Sequence, residues 1–221
     1  MIRVVTWTLG ANPTPRSVAT VLARLQPDVL LLGDLPGAGR LRGCLAGTGL
    51  RVVARSGRGR AGSAIAVTER IRARTSAQLR LRGTGAGNER LASHAIVGAG
   101  GRVLSLLAFR LGPDPDGRLA DAHAITTFLA KVDHPDVIGG DIGEGPGGPV
   151  SDVLTGARLD AWTVGGVGTG LTYPTPEPMA RHDVLLVDAG IPVAAAHVET
   201  AYPVDVAAKH RPVAVDIEED Q

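Results

Sequence analysis

The stretch that decides the fold is His134-Pro-Asp-Val-Ile-Gly-Gly-Asp-Ile-Gly-Glu-Gly-Pro-Gly-Gly148. Its short apolar run, Val137 and Ile138, leads into two glycines and then Asp141, which predicts a buried strand that delivers a carboxylate into a loop. Glycines in a strand let another part of the chain approach the backbone closely. Strand ends carry the chemistry of α/β proteins, so Asp141 is a candidate site residue. The alternative is that its side chain only caps the following turn.

The segments on either side of this stretch predict alternating strands and helices. Residues 2–7 predict a strand, Thr14-Pro15 begins a helix, and residues 28–34 predict a second strand, so the first two strands form a β-α-β unit and should be neighbours. The buried stripe of that helix is predicted to be Val18, Val21, Leu22 and Leu25. Further strands are predicted at 51–55, 63–67, 91–97, 103–109, 183–187 and 211–217, an arginine-rich hairpin at 70–82, and helices at 119–132 and 151–156.

Composition limits the class of protein. The chain has 221 residues, 44% of them hydrophobic and 3% aromatic, and neither repeats nor linkers interrupt it. We therefore expect a single domain at residues 1–217, with a core of aliphatic residues, followed by a loose acidic tail at 218–221. One cysteine excludes an internal disulfide. No apolar run approaches the roughly 18 residues of a membrane span, so we expect a cytoplasmic protein without a membrane partner.

Charge is unevenly distributed along the chain. Twelve arginines and two glutamates lie between Arg40 and Arg90, although the net charge of the whole chain is only +1. Such a segment could bind phosphate or nucleic acid. Alternatively, because the arginines alternate with other residues at period two, they lie on the solvent side of a hairpin. We favour the solvated face, which predicts weak, salt-sensitive DNA binding.

Six segments, in this order along the chain, resemble motifs of the endonuclease/exonuclease/phosphatase family, whose members have the DNase I-like fold. The segments begin at Val4-Val-Thr-Trp-Thr, Pro27-Asp-Val-Leu-Leu-Leu-Gly-Asp, Val103, Val137-Ile-Gly-Gly-Asp, Thr172-Tyr-Pro with Arg181-His-Asp, and Ala208-Lys-His-Arg-Pro-Val. The resemblance runs from Arg3 to Ile217. It implies an α/β sandwich of two mixed sheets packed face to face, with helices on the outer faces.

The resemblance also implies roles for particular residues. His210 and Asp183 would form a pair in which the carboxylate orients the imidazole near a phosphate, and Asp141 would position or deprotonate the attacking water. Asp34 stands where the family has a glutamate that binds Mg²⁺, the cofactor that the family implies. At four other site positions the residue differs from the one that the family has: Thr8 replaces Asn, Arg110 replaces His, Gly143 replaces Asn and Lys209 replaces Asp.

These substitutions affect whether the site could bind Mg²⁺. A hard dication takes oxygen ligands, and a lysine at one of those positions argues against the usual magnesium site. Either the site has decayed, or Arg110 and Lys209 supply positive charge in place of the metal. In the second case we expect the ammonium group of Lys209 beside Asp34 or Asp141, and we assign substrate binding to Arg110, Lys209, Thr8, Thr172 and Tyr173.

Three functions remain open at this point. The first is a phosphoesterase-like hydrolase acting on a small phosphorylated or anionic molecule. The second is a non-catalytic binding protein on the same fold, a pseudoenzyme. The third, a metal-dependent nuclease, is supported only by the arginine-rich segment. Both of the first two require the predicted site residues to meet in one cleft.

Overall fold

The computed structural model describes residues 1–83 and 89–219, with the side chain of Arg60 excepted. The strands are β1 (Ile2–Thr8), β2 (Val29–Gly33), β3 (Arg51–Ser56), β4 (Ser63–Val67), β5 (Arg72–Leu81), β6 (Arg90–Ala99), β7 (Arg102–Arg110), β8 (Asp136–Asp141), β9 (Arg158–Asp160), β10 (Asp183–Asp188), β11 (Val193–Val198) and β12 (Val213–Ile217). The helices are α1 (Pro15–Leu25), α2 (Ala38–Leu45), α3 (Pro115–Leu129), α4 (Pro149–Thr155), α5 (Ala161–Gly165) and α6 (Val204–Ala207), and a 3-10 turn spans Gly59–Ala61.

The strands form two mixed six-stranded sheets, as the α/β sandwich requires. The strand order is β11-β12-β1-β2-β4-β3 in the first sheet and β5-β6-β7-β8-β10-β9 in the second. Strands β1 and β2 are parallel neighbours, which confirms the predicted β-α-β unit. Strands β7 and β8 form the parallel pair of the second sheet, and β10 runs antiparallel to β8.

The glycine pair in β8 allows close packing on both sides of that strand. A Cβ atom at Gly139 would lie 2.8 Å from the side chain of Thr6 in the facing sheet. At Gly140 it would overlap the carbonyl oxygen of Phe109 in the neighbouring strand. Real Cβ atoms do not tolerate such distances, so the two glycines let the sheets approach at the position where β8 delivers Asp141.

Apolar side chains form three packed layers. One lies between the sheets and includes Val4, Leu31, Leu106 and Val137. The second joins the first sheet to α1 and α2, and the third joins the second sheet to α3 and α4. The helices therefore cover the outer faces. In the described part of the chain, no helix is long and apolar enough to cross a membrane.

Several local predictions are confirmed and two are wrong. Helix α1 has Pro15 at its start and buries the four predicted residues. The predicted hairpin at 70–82 is instead a single ten-residue edge strand, β5, which pairs with β6 and has a register shift between Ala73 and Thr75. Its arginines are exposed, as expected for a solvated surface. Helix α3 begins at Pro115, earlier than predicted, because Asp114 caps it by accepting a hydrogen bond from the Gly117 N–H.

The first two residues of the predicted acidic tail are held against the sandwich. The Glu218 N–H donates to the Pro192 carbonyl, and the Glu219 carboxylate lies 3.0 Å from Arg70 and 3.2 Å from the N-terminal amine. The last two residues of that predicted tail lie outside the described residues.

Candidate active site

Five strands bring the candidate residues together at one edge of the sandwich. In the second sheet, Arg110 at the end of β7 is paired in register with Asp141 at the end of β8. Asp141 is in turn paired with Asp183 at the start of β10. In the first sheet, Thr8 ends β1, and Asp34 follows β2 with a left-handed backbone, φ +51°. A non-glycine residue in that conformation is strained, and such strain is frequent at functional sites.

His210 and Asp183 form a buried, well-oriented pair. The Asp183 carboxylate lies 2.7 Å from His210 Nδ1. The Thr8 hydroxyl donates to its other oxygen at 2.7 Å. The Trp7 indole N–H donates to the His210 carbonyl at 2.8 Å and fixes the backbone of the histidine. Because Nδ1 faces the carboxylate, Nε2 is the ring nitrogen that remains for other partners.

The charges of this pair stabilise each other. Burial opposes the charged form of His210, but the Asp183 carboxylate outweighs burial and raises the pKa of the imidazole. Burial likewise opposes ionisation of Asp183, but the adjacent His210 and the Thr8 hydroxyl lower the pKa of that carboxyl. The pair therefore favours an imidazolium beside a carboxylate near neutral pH.

Asp141 has a different environment. Its Oδ1 accepts the N–H of Gly143 at 2.8 Å, so it does cap the following turn. Its Oδ2 accepts a hydrogen bond from Arg110 Nε at 3.2 Å and lies 4.0 Å from His210 Nε2. Burial, followed by the nearby charge of Asp183, raises the pKa of the Asp141 carboxyl. A carboxylate with a raised pKa is a better proton acceptor.

Arg110 links the carboxylates of the two sheets. Besides its contact with Asp141, its Nη1 lies 3.1 Å from Asp34 Oδ2. That second contact is an ion pair, and among the residues that the structure describes neither Nη1 nor the buried Asp34 Oδ1 has a hydrogen-bond partner. The guanidinium therefore holds together the two acidic groups that face each other across this edge.

No protein-family model and no curated protein sequence matches this chain significantly. Solved structures do. An endonuclease/exonuclease/phosphatase from Bacteroides vulgatus is 14% identical, with a TM-score of 0.80 and 99% of each chain covered. A mannosyl-6-phosphatase from Bacteroides thetaiotaomicron is 14% identical, with a TM-score of 0.82, covering 99% of this chain and 100% of that one. TDP2 from D. rerio, complexed with a single-strand DNA product, is 16% identical, with a TM-score of 0.79 and 98% of each chain covered.

These likenesses decide the architecture. The chain has the endonuclease/exonuclease/phosphatase fold. Matches that extend over nearly the whole of both chains confirm the fold that the six sequence motifs predict. At these identities the likeness concerns the fold alone, so the roles of individual residues have to be argued from the site itself.

In this endonuclease/exonuclease/phosphatase fold, two sequence-based expectations need correction. The ammonium group of Lys209 forms no ion pair with Asp34 or Asp141; Arg110 does. Lys209 is exposed, and its aliphatic stem lies over Gly10. Thr8 and Thr172, assigned to substrate binding, are buried. The Thr172 hydroxyl accepts the N–H groups of His182 and Asp183 at 3.1 and 3.2 Å, so both threonines hold Asp183 in place.

The predicted site residues other than Thr8, Thr172 and the fully buried Asp183 line a pocket of about 370 Å³. Its lining includes Asp34, Arg110, Asp141, Tyr173, Lys209 and His210. The Tyr173 ring stacks between His210 and His182, with centroids 4.6 and 5.0 Å away. A larger cavity of about 740 Å³ beside the end of α1 contains none of these groups. The pocket at the strand ends is therefore the candidate active site.

Two pocket residues, Arg118 and His182, were not assigned from the sequence. Arg118 lies in the first turn of α3, and His182 immediately precedes β10. His182 belongs to the Arg181-His-Asp183 motif, and its position next to Asp183 was the signal that could have placed it at the site. No linear motif marks Arg118.

The residues at this site do not fit a magnesium ion. Mg²⁺ requires a near-octahedral set of oxygen ligands. Here the Arg110 guanidinium already contacts Asp34 and Asp141, and Lys209 adds a second cation to the pocket. Within residues 1–83 and 89–219, no group of three or more His, Cys, Asp or Glu side chains has the arrangement to hold a metal ion. Asp34, the predicted metal ligand, is instead the ion-pair partner of an arginine.

Proposed function

We propose that this protein is a phosphoester hydrolase that acts on a small phosphorylated molecule and uses Arg110 where related folds use a divalent metal. The observation that carries the proposal is the Arg110 bridge between Asp34 and Asp141, directly beside the His210–Asp183 pair. The pocket then contains a proton acceptor, an imidazolium and fixed positive charge. Those are the components that phosphoryl transfer to water needs.

The proposed reaction begins with a water molecule between His210 Nε2 and Asp141 Oδ2. Their separation of 4.0 Å suits one water in contact with both. The water oxygen attacks phosphorus while Asp141 takes its proton, and the bond from phosphorus to the leaving oxygen breaks. The leaving oxygen takes a proton from solvent. Protonated His210 donates to a phosphoryl oxygen and offsets the charge that develops there.

Arg110 has two effects in this mechanism. It offsets part of the negative charge of Asp34 and Asp141, which would otherwise repel a phosphate more strongly. It also presents a fixed cation at the strand ends, where a guanidinium can stabilise phosphoryl oxygens. Removing one such donor from an active site typically lowers the rate roughly 100- to 1000-fold.

The neighbours and the pocket both support a phosphorylated substrate of modest size. One structural neighbour is a mannosyl-6-phosphatase, and another is complexed with a single-strand DNA product. A pocket of about 370 Å³ suits a small molecule better than a duplex. The exposed arginines of β5 do not line that pocket. We therefore favour a small-molecule substrate over nucleic acid.

The test is hydrolysis of a panel of phosphomonoesters and phosphodiesters by the wild type and Asp141→Asn. Loss of the proton acceptor should lower kcat/KM by roughly 100- to 10,000-fold. Asp188→Asn is the matched control, because Asp188 lies at the other end of β10 from Asp183, outside the pocket. Equal activity of Asp141→Asn and the wild type would overturn the mechanism.

A second function is supported by one specific observation. Asp141 already receives hydrogen bonds from Arg110 and Gly143, which weakens it as a base. A pocket with that arrangement is also suited to binding an anion without turning it over. Phosphate binding without hydrolysis of any substrate in the panel would favour this non-catalytic binding protein.

A further inference from the structure

The cations of the pocket differ in whether their charge is compensated. Arg110 lies within 3.2 Å of two carboxylates. Arg118 and Lys209 line the same pocket, yet in the described part of the chain neither forms an ion pair. An anion entering the pocket would therefore meet positive charge at Arg118 and Lys209 that no carboxylate offsets, whereas the charge of Arg110 is already shared.

In the described part of the chain, the Arg118 guanidinium has a hydrogen-bond acceptor for Nη1 but none for Nε. Its Nη1 donates to the Pro113 carbonyl at 2.8 Å, which fixes the direction of the guanidinium. Its Nε is buried and has no acceptor in the part of the chain that the structure describes. A buried charged donor without a partner is unfavourable, so the arrangement is one that an incoming acceptor would complete.

Gly143 provides the space for this guanidinium. A Cβ atom at position 143 would lie 3.2 Å from Arg118 Cδ and 3.3 Å from Nη1. Those distances are too short for an unmoved side chain, and the backbone of Gly143 is also left-handed, φ +68°. The glycine that replaces the family-like asparagine is thus linked to the position of Arg118.

We propose that Arg118 is a substrate-binding residue, and that Arg118 and Lys209 hold the oxyanion of the substrate beside His210, in addition to the fixed charge of Arg110. The ligand class is a tetrahedral oxyanion, that is, a phosphate ester or inorganic phosphate. A guanidinium can donate two parallel hydrogen bonds to such a group, and the ammonium group adds a compact charge. The inference rests on the proposed function, because it locates the phosphate end of the proposed substrate.

The experiment is calorimetric titration of inorganic phosphate into the wild type, Arg118→Ala, Gly143→Asn and the double variant. Arg118→Ala should raise the Kd roughly 10- to 150-fold, the range for losing a hydrogen bond between charged groups. Arg72→Ala, which removes an exposed arginine from β5, should leave the Kd unchanged. Asparagine is chosen at position 143 because it tolerates a left-handed backbone better than most residues.

The double variant separates displacement of Arg118 from general damage. If Gly143→Asn weakens binding by displacing Arg118, it should cause no further loss in the Arg118→Ala background. Circular dichroism and thermal melts of each variant establish that it is folded. Additive losses would overturn the role of Gly143.

The failures of the two proposals are distinguishable. Phosphate binding by the wild type that is equally strong in Arg118→Ala would overturn this inference and leave the proposed hydrolase standing. Equal weakening by Arg118→Ala and Arg72→Ala would also overturn it, because the effect would then be one of net charge. A wild type that binds no phosphate would overturn both proposals.

Discussion

The two ends of strand β8 each have an aspartate paired with an arginine, but the pairs differ in how completely they are satisfied. At the start of the strand, both oxygens of Asp136 accept hydrogen bonds from Arg158, at 2.5 and 2.7 Å, and both residues are buried. At the other end, Asp141 shares Arg110 with Asp34, and three nearby polar atoms have no hydrogen-bond partner within residues 1–83 and 89–219: Arg110 Nη1, Asp34 Oδ1 and Arg118 Nε.

This difference separates a structural ion pair from the candidate active site. A buried pair with two parallel hydrogen bonds has no capacity left for another partner. Unsatisfied buried donors and acceptors are rare in folded proteins, because each is unfavourable. A ligand that binds in the pocket would supply partners for the three such atoms at that end of β8. Substitutions at the pocket end should therefore change activity, and substitutions at the other end should change stability.

The largest expected effect is at the pocket end. Asp183→Asn removes the charge that orients His210, and we expect a loss of activity of roughly 100- to 10,000-fold. The variant retains the shape of the side chain, so folding should be largely preserved. Initial-rate kinetics on the preferred phosphoester provide the measurement, and undiminished activity would show that the pair has no catalytic role.

The same variant has a distinctive pH signature. In the wild type, activity should rise with pH through a raised Asp141 pKa, above 3.8, and fall as His210 deprotonates above its usual 6.5. In Asp183→Asn the alkaline limb should move to lower pH, because the carboxylate that raises the pKa of His210 is gone. The stabilising contribution of the His210 charge is complete below pH 6.5 and is lost as pH rises through its folded pKa. An alkaline limb that stays in place would contradict this assignment.

At the opposite end of β8 the expected effect is on stability. Arg158→Ala leaves the buried Asp136 carboxylate without a counter-charge and should lower the free energy of unfolding by about 3–5 kcal/mol. Arg110→Ala should cost less, because the Arg110 side chain is 23% exposed compared with 6% for Arg158 and other cations line the pocket. Urea denaturation of both variants at neutral pH measures the difference. A larger loss of unfolding free energy in Arg110→Ala than in Arg158→Ala would contradict the proposed contrast between the two ends of β8.

Much of the fold was predictable because its central elements have strong local patterns. Strands β1, β2, β7 and β8 are short segments rich in apolar residues, and α1 has a proline start and a clear apolar stripe. Helix α2 was missed because its glycines indicate a turn. One of them, Gly43, is needed for packing, since a Cβ there would lie 3.2 Å from Pro15 Cβ. The arginine-rich segment was misjudged because the bulge in β5 cannot be distinguished from a hairpin by alternation alone.

The candidate site residues that belong to a linear sequence motif were predictable from the sequence. The five residues that meet at this edge each lie at the start or end of a strand or within three residues of one: Asp34, Arg110, Asp141, Asp183 and His210. The direction of a side chain is not encoded in such motifs. The sequence assigned the compensating charge to Arg110 and Lys209 together and the contact with Asp34 or Asp141 to Lys209, whereas Arg110 forms those ion pairs. It gave no signal for Arg118, which reaches the pocket from α3.

The most direct test of the central claim is the rate of phosphoester hydrolysis by the wild type in excess chelator compared with the rate in millimolar Mg²⁺. If Arg110 provides the positive charge at the strand ends, the two rates should be equal within error, and calorimetry should detect no Mg²⁺ binding to the same protein. A rate that is abolished by chelator and restored by Mg²⁺ would contradict the account, because a metal would then be working at a site that Arg110 is proposed to fill.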